Sequence, residues 1–185
     1  MATFNPVTTN DLLQGDNDLN KTTEAFKKLV EPELIRAVGG RFILVEGSDN
    51  NIAKALDLIG GIDLLHLKNL SLRGVGSRIQ FGETCWETFT IRKDRESGEK
   101  TEYDKRKQAI EKGWIYPQYT LQAYVTDYAL LGFAFAKTEH IFKMIEYGAC
   151  DIRETNSNRI GQSSFYVIKW RTMRETDCDI TYETF

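Results

Sequence analysis

Histidine and cysteine are scarce in this sequence of 185 residues, and their scarcity removes several kinds of site. The two histidines, His66 and His140, are too few for the usual zinc sites. The three cysteines, Cys85, Cys150 and Cys178, are widely spaced and include no Cys-x-x-Cys pair. This pattern predicts free thiols and a cytoplasmic location rather than a disulfide framework.

Long apolar runs and nucleotide or hydrolase motifs are absent as well. No stretch approaches the roughly 18 apolar residues of a spanning helix, and the first residues do not resemble a signal peptide. We therefore expect no membrane partner. The sequence has no P-loop, no G-x-S-x-G and no H-E-x-x-H motif. Gly74-Val75-Gly76 is not flanked like a nucleotide loop and predicts a strand kink or bulge.

Charge of either sign is nearly balanced, because 24 Lys and Arg face 27 Asp and Glu, which gives a net charge of −3. Such a balance creates no general attraction to nucleic acid or to anionic membranes, so any nucleic-acid binding must come from a local basic face. The chain also contains 41% hydrophobic residues, including 10 Phe and 8 Tyr. These numbers predict an ordered globular core.

The order of the predicted elements indicates a single α+β domain at 21–185, preceded by a polar arm at 1–20. We expect a mixed, mostly antiparallel sheet with helices packed on it. The predicted strands are 41–46, 62–67, 73–81, 85–93, 120–126, 128–136 and 164–171, with a short edge strand near 180–185. The predicted helices are 51–60, 102–112 and 138–147, with a further helical face at 22–38 that breaks at Pro32. We expect strands 62–67, 73–81, 85–93 and 120–136 to share one sheet and 151–162 to be a loop.

From residue 51 to about residue 126 the elements run helix, strand, strand, strand, helix, strand. This order resembles the αβββαβ core of the PD-(D/E)XK nuclease superfamily. The resemblance implies a Mg²⁺-dependent endonuclease in which an Asp and a Glu on neighbouring strands hold the metal and a Lys helps to position the attacking water. Asp63 would take the position of the metal-binding Asp.

The rest of the nuclease motif departs from the family pattern. Arg78 stands where the family has its acid, and Gln80 stands where it has its Lys. Glu46 and Glu87 are then the nearest candidates for a second acid beside Asp63. If the motif is inactive, we expect Arg78 to form an ion pair with Asp63 and to make the site structural or a recognition surface.

A charged segment at 88–112 is the second candidate site. Its basic side chains are interleaved with acids, which is typical of a solvated surface with local ion pairs. The alternative is an edge that contacts phosphates. The nucleic-acid-binding candidates are Arg78, Arg92, Arg95, Lys105 and Arg106. Side chains for base stacking, or equally for core packing, are Trp86, Trp114, Tyr116 and Tyr119.

Two functions of different classes follow. The first is a non-enzymatic interaction or accessory protein, such as one of a phage or mobile element, that binds a protein or a nucleic acid. The second is the nuclease-like protein, active or degenerate, with Mg²⁺ as its cofactor. The incomplete catalytic set favours the first. The observation that distinguishes the two functions is whether Asp63 and another carboxylate point into one cleft.

Overall fold

The structure of the protein is a computed structural model that contains both helices and strands. It describes residues 19–45, 50–98, 100–157 and 161–185. Helix α1 spans 19–38, and its middle turn, Phe26–Val30, is π-helical. Further helices are α2 (Asn51–Gly60), α3 (Glu102–Lys112), α4 (Thr138–Glu146) and α5 (Trp170–Glu175). The strands are β1 (Arg41–Leu44), β2 (Leu64–Lys68), β3 (Ser71–Phe81), β4 (Thr88–Arg95), β5 (Tyr119–Val125), β6 (Leu130–Lys137), β7 (Asp151–Ser157), β8 (Gly161–Lys169) and β9 (Ile180–Thr184).

The strands form two sheets. The larger has six strands in the order β1-β2-β3-β5-β6-β9, and the smaller has three in the order β4-β8-β7. All neighbouring pairs are antiparallel except β3 and β5, which run parallel with Val75 beside Tyr119. The predicted α+β class, with its mixed and mostly antiparallel sheet, is confirmed.

Two cores lie on the two faces of the larger sheet, and β5 serves both because its side chains alternate. Leu121 and Val125 are buried in the first core, where α1 packs with Val30 and Leu34. Tyr124 is buried in the second core, which β4, β8, α4 and α5 cover. The larger sheet is therefore the middle layer of a single domain.

The two helices that matter for the site begin and end on capping residues. The side chain of Asn50 accepts the backbone N–H of Ile52 at 2.8 Å and starts α2, which ends at Gly61 in the left-handed conformation. Thr101 and Asp104 form a reciprocal capping box that starts α3, and Gly113 ends it in the left-handed conformation.

The predicted placement of β4 in the main sheet is wrong. Its strand pattern is correct, but its partner is β8, with Phe89 beside Ile168 and Ile91 beside Tyr166. The connection 82–87 contains no tight hairpin turn, so nothing local holds β4 against β3. The position beside β3 is taken by β5 instead. Alternation identifies a strand and its buried face, but it does not identify the neighbour.

Two further expectations need correction. The expected loop at 151–162 contains β7 and the first two residues of β8, and the polar sequence of β7 reflects its exposed edge position. The helix continues past Pro32 without a break: an α-helical segment begins at Glu31, directly after the π-turn, and Pro32 lies in its first turn, where no backbone N–H is needed. Of the predicted arm, residues 19 and 20 belong to α1, and 1–18 lie outside the described residues.

Within the part of the chain that the structure covers, none of the helices has the length and apolar character needed to cross a membrane.

Candidate functional site

A cleft of about 230 Å³ lies between two groups of elements. The end of α2 and the residues just before β2 form one wall, and β3, β4 and α3 form the other. Charged side chains dominate its walls. The lining residues are Asp57, Gly60, Gly61, Asp63, Ser77, Arg78, Arg95, Glu102, Lys105, Arg106 and Ala109. The cleft thus brings together five residues that the sequence pointed to, namely Asp63, Arg78, Arg95, Lys105 and Arg106.

Glu102 is the charged centre of this cleft. Its Oε1 lies 2.7 Å from Nη1 of Arg106, and its Oε2 accepts a hydrogen bond from Nη2 of Arg78 at 2.9 Å. Burial by itself raises the pKa of Glu102, but Arg106, Arg78 and the backbone N–H and charge of Arg92 outweigh it and lower the pKa. Glu102 is therefore a carboxylate that stays ionised and holds two guanidinium groups in place.

Arg106 is fixed by a glycine as well as by Glu102. A Cβ atom at Gly76 would lie 2.1 Å from Nη2 of Arg106, so the guanidinium rests on bare backbone. Gly74 does the same for Ile62, whose Cδ1 would lie 2.7 Å from a Cβ there. The strand β3 keeps its register through both glycines, so a bulge at this position is excluded. The glycines allow close approach instead.

Arg92 stands just behind the cleft and adds to its charge. The guanidinium carbons of Arg92 and Arg78 lie 5.4 Å and 5.6 Å from the centre of the Phe165 ring, so both cations contact one aromatic side chain. Burial, together with the charges of Arg95 and Arg78, lowers the pKa of Arg92, and Glu102 partly opposes this. Among described residues its Nε has no hydrogen-bond partner.

The described residues in and behind the cleft carry more positive than negative charge. The basic side chains are Arg78, Arg92, Arg95, Lys105 and Arg106, and the acidic ones are Asp57, Asp63 and Glu102. Like charges at such short range repel one another unless anions compensate them. The arrangement is suited to holding an anion.

Asp63 lines the cleft but is used by the backbone. Its Oδ2 accepts the N–H of Ser77, and its own N–H donates to the carbonyl of Val75 at 2.9 Å. The expected ion pair of Arg78 with Asp63 is wrong, because the ion pair of Arg78 is formed with Glu102. Asp63 therefore extends the pairing of β2 with β3 and fixes the cleft floor.

The other predicted catalytic residues do not join the cleft. Gln80 accepts a hydrogen bond from Nε2 of Gln122 at 2.8 Å, within a polar network between the two sheets. Glu87 is exposed, has a positive φ of 51° and precedes β4, at the opposite end of that strand from Arg95. Glu46 lies outside the described residues.

The described carboxylates do not fit a Mg²⁺ site. Mg²⁺ needs oxygen ligands in near-octahedral geometry, but Glu102 is held by two arginines and Asp63 by a backbone N–H. Within the described ranges no group of three or more His, Cys, Asp or Glu is placed to hold a metal ion. Glu102, which lines the cleft together with Asp57 and Asp63, was missed as a site residue. Its signal is the spacing of four residues to Arg106 at the start of a capped helix.

The candidate stacking residues divide into two groups. Tyr119 stacks on Phe135 at 4.7 Å in the first core, and Tyr116 donates its hydroxyl to Glu139. Trp86 and Trp114 are 59% and 56% exposed. Only the two tryptophans of this set are therefore open to a ligand.

Comparisons with known proteins return nothing: no family model, no curated protein and no solved structure matches this chain.

Proposed function

We propose that this domain is a non-enzymatic binding module whose cleft holds the phosphate backbone of a nucleic acid. The observation that carries the proposal is the gathering of Arg78, Arg92 and Arg106 around the carboxylate of Glu102. Arg95 and Lys105 extend the positive wall. A bound phosphate would supply the negative charge that this cluster lacks.

The side chains divide into those that reach a ligand and those that support them. Arg106 is almost fully buried between Gly76 and Glu102, so it contributes positive electrostatic potential to the cleft rather than a direct contact with a ligand. Arg78, Arg95 and Lys105 keep exposed surface in the cleft. A guanidinium presents a planar fork that matches two phosphate oxygens, and a lysine adds a mobile point charge.

A nuclease would use the same cleft differently. It would need Asp63 and Glu102 to bind a cation together, yet four basic side chains line the same cleft and each acid already accepts a hydrogen bond from the protein. We therefore place binding ahead of catalysis. A Mg²⁺- or Mn²⁺-dependent cut in plasmid or single-stranded substrate that Asp63→Ala abolishes would reverse this order.

The direct test is binding of a fluorescent oligonucleotide, followed by anisotropy over a series of salt concentrations. Lys105→Ala removes an exposed charge that forms no ion pair with the residues the structure describes, so the fold should be unaffected. We expect weaker binding for every sequence and a log–log salt slope reduced by about 1. Arg78→Lys should also weaken binding, because the charge stays but the fork is lost.

The matched control is Arg171→Ala. Arg171 is an exposed arginine on α5 whose ion pair is with Glu175, and it lies outside the cleft. Its removal should leave the affinity and the salt slope close to those of the unaltered protein. Equal slopes for Lys105→Ala and the unaltered protein, or no binding at low salt, would contradict the proposal.

A further inference from the structure

Trp114 stands at the rim of the basic cleft. It follows Gly113, which ends α3, and its N–H donates to the carbonyl of Ala109 at 2.8 Å. Ala109 lines the cleft. The next residue, Ile115, packs against Gly60 of the opposite wall: a Cβ there would lie 3.3 Å from its Cγ2. The segment 114–115 therefore bridges the two walls at one end.

This rim is apolar and open to solvent beside a charged surface. The exposed fractions are 56% for Trp114 and 61% for Ile115. The Nζ atom of Lys112 lies 4.5 Å from the centre of the Trp114 ring, so a cation sits at the indole. A large aromatic surface next to a cationic groove combines the two features that single-stranded nucleic acid uses, a flat platform and a phosphate track.

We propose that Trp114 stacks on an unpaired base of a strand whose phosphates occupy the cleft, so that the module prefers single-stranded over duplex nucleic acid. This inference rests on the proposed function. In a duplex, each base face is covered by its neighbours, and the groups nearest a protein are phosphates. Only an unpaired strand can place a base on Trp114 while its backbone stays at Arg78 and Lys105.

Trp86 provides a matched control for the test. It is 59% exposed and also lies near a cation, with Cζ of Arg153 5.7 Å from its ring centre. It differs in place, since it comes before β4, at the end of that strand away from Arg95 and the cleft. Trp86→Ala and Trp114→Ala remove equivalent side chains, and only the second should affect stacking.

The experiment measures Kd by anisotropy for a labelled oligothymidylate and for a DNA duplex of equal length. We expect Trp114→Ala to weaken oligothymidylate binding about 10-fold or more and duplex binding little. Trp114→Phe keeps a stacking face and should retain most of the affinity. Trp86→Ala should bind both probes as the unaltered protein does.

The results distinguish a failure of the stacking inference from a failure of the proposed function. If Trp114→Ala binds oligothymidylate normally while Lys105→Ala binds it weakly, the stacking inference fails and the proposed function stands. If Trp114→Ala weakens both probes equally, Trp114 is not a base platform, and the inference fails again. If the unaltered protein binds neither probe at low salt, the proposed function and the inference fall together.

Discussion

At the scale of single residues, the cleft depends on the ionised state of Glu102. Its carboxylate is the anion that the structure pairs with both Arg78 and Arg106. Because the side chain of Arg106 is only 7% exposed, water cannot replace a lost partner easily. The stability of the domain should therefore depend on this carboxylate more than on any surface ion pair.

We expect Glu102→Gln to lower the free energy of unfolding at pH 7 by about 2 kcal/mol, since the charged hydrogen bond from Arg78 and the ion pair with Arg106 are lost. The folded pKa of Glu102 lies below its ordinary value of 4.5. Its contribution is thus complete above that value and disappears as the pH falls through the lower folded pKa. Urea unfolding between pH 7 and pH 3 should show this loss in the unaltered protein and not in the variant.

The control is Glu175→Gln. Glu175 and Arg171 are also four residues apart on a helix, with Nε and Oε1 2.8 Å apart, but both are well exposed. Such pairs contribute about 0.5 kcal/mol or less. Equal effects of the two substitutions would show that Glu102 is an ordinary surface residue.

Gly76 is the second residue on which the cleft depends. Gly76→Ala would place a Cβ 2.1 Å from the guanidinium of Arg106, which is confined by burial and by Glu102. We expect a loss of about 2 kcal/mol in thermal or urea unfolding, together with weaker oligonucleotide binding. Gly82→Ala is the comparison, because a Cβ there has nothing within 4 Å. It should change stability by about 0.5 kcal/mol or less.

At the scale of elements, helix α3 is held on β4 by its cap. The hydroxyl of Thr101, which is 1% exposed, donates to the carbonyl of Lys93 at 3.1 Å and also takes part in the capping box with Asp104. The start of α3 and the end of β4 are thereby joined. This joint sets the distance between Arg95 and the basic side chains of the helix.

Thr101→Ala should therefore destabilise the domain by about 1–2 kcal/mol and weaken nucleic-acid binding although it removes no charge. Thr101→Ser keeps the hydroxyl and should recover most of both properties. Chemical unfolding and anisotropy measure the two effects. Loss of stability with unchanged affinity would show that the cap does not position the cleft.

The sequence predicts elements better than their neighbours. Capping residues and apolar periodicity place α2, α3 and most strands within a few residues. Arg95, Lys105 and Arg106 were candidate binding residues from the sequence, and they line one cleft, although the predicted strand ended at residue 93, before Arg95. The grouping of Glu87 with Asp63 depended on strand 85–93 pairing beside the strand that carries Asp63, whereas β4 pairs with β8. Partner choice depends on packing between distant segments, which a local pattern does not contain.

At the scale of the whole molecule, the two cores share strands and should not unfold separately. Leu34 is fully buried in the first core and Trp170 is fully buried in the second. They are joined through β5 and β6, whose alternate side chains enter both cores. One cooperative transition is expected for such a domain.

Leu34→Ala should lower the free energy of unfolding by about 3 kcal/mol. It should lower the thermal midpoint measured by the fluorescence of Trp170 together with the midpoint measured by circular dichroism. The measurement is made with Trp86 and Trp114 replaced by phenylalanine, so that only Trp170 remains of the three tryptophans. Thermal scans of both signals in this background, with and without Leu34→Ala, give the comparison. A Trp170 transition that stays in place while the dichroism shifts would reveal two independent units.

The parallel pairing of β3 with β5 also determines when the binding surface appears during folding. The segment between them, 82–118, carries β4 and α3, and it becomes a closed loop when Val75 pairs with Tyr119. Closing so long a segment carries an entropic cost of about 3 kcal/mol that nearby contacts cannot offset early. The arginines of the cleft therefore converge late in folding. A chain still leaving the ribosome presents them only as scattered charges, and the cleft is complete only once β3 and β5 have paired.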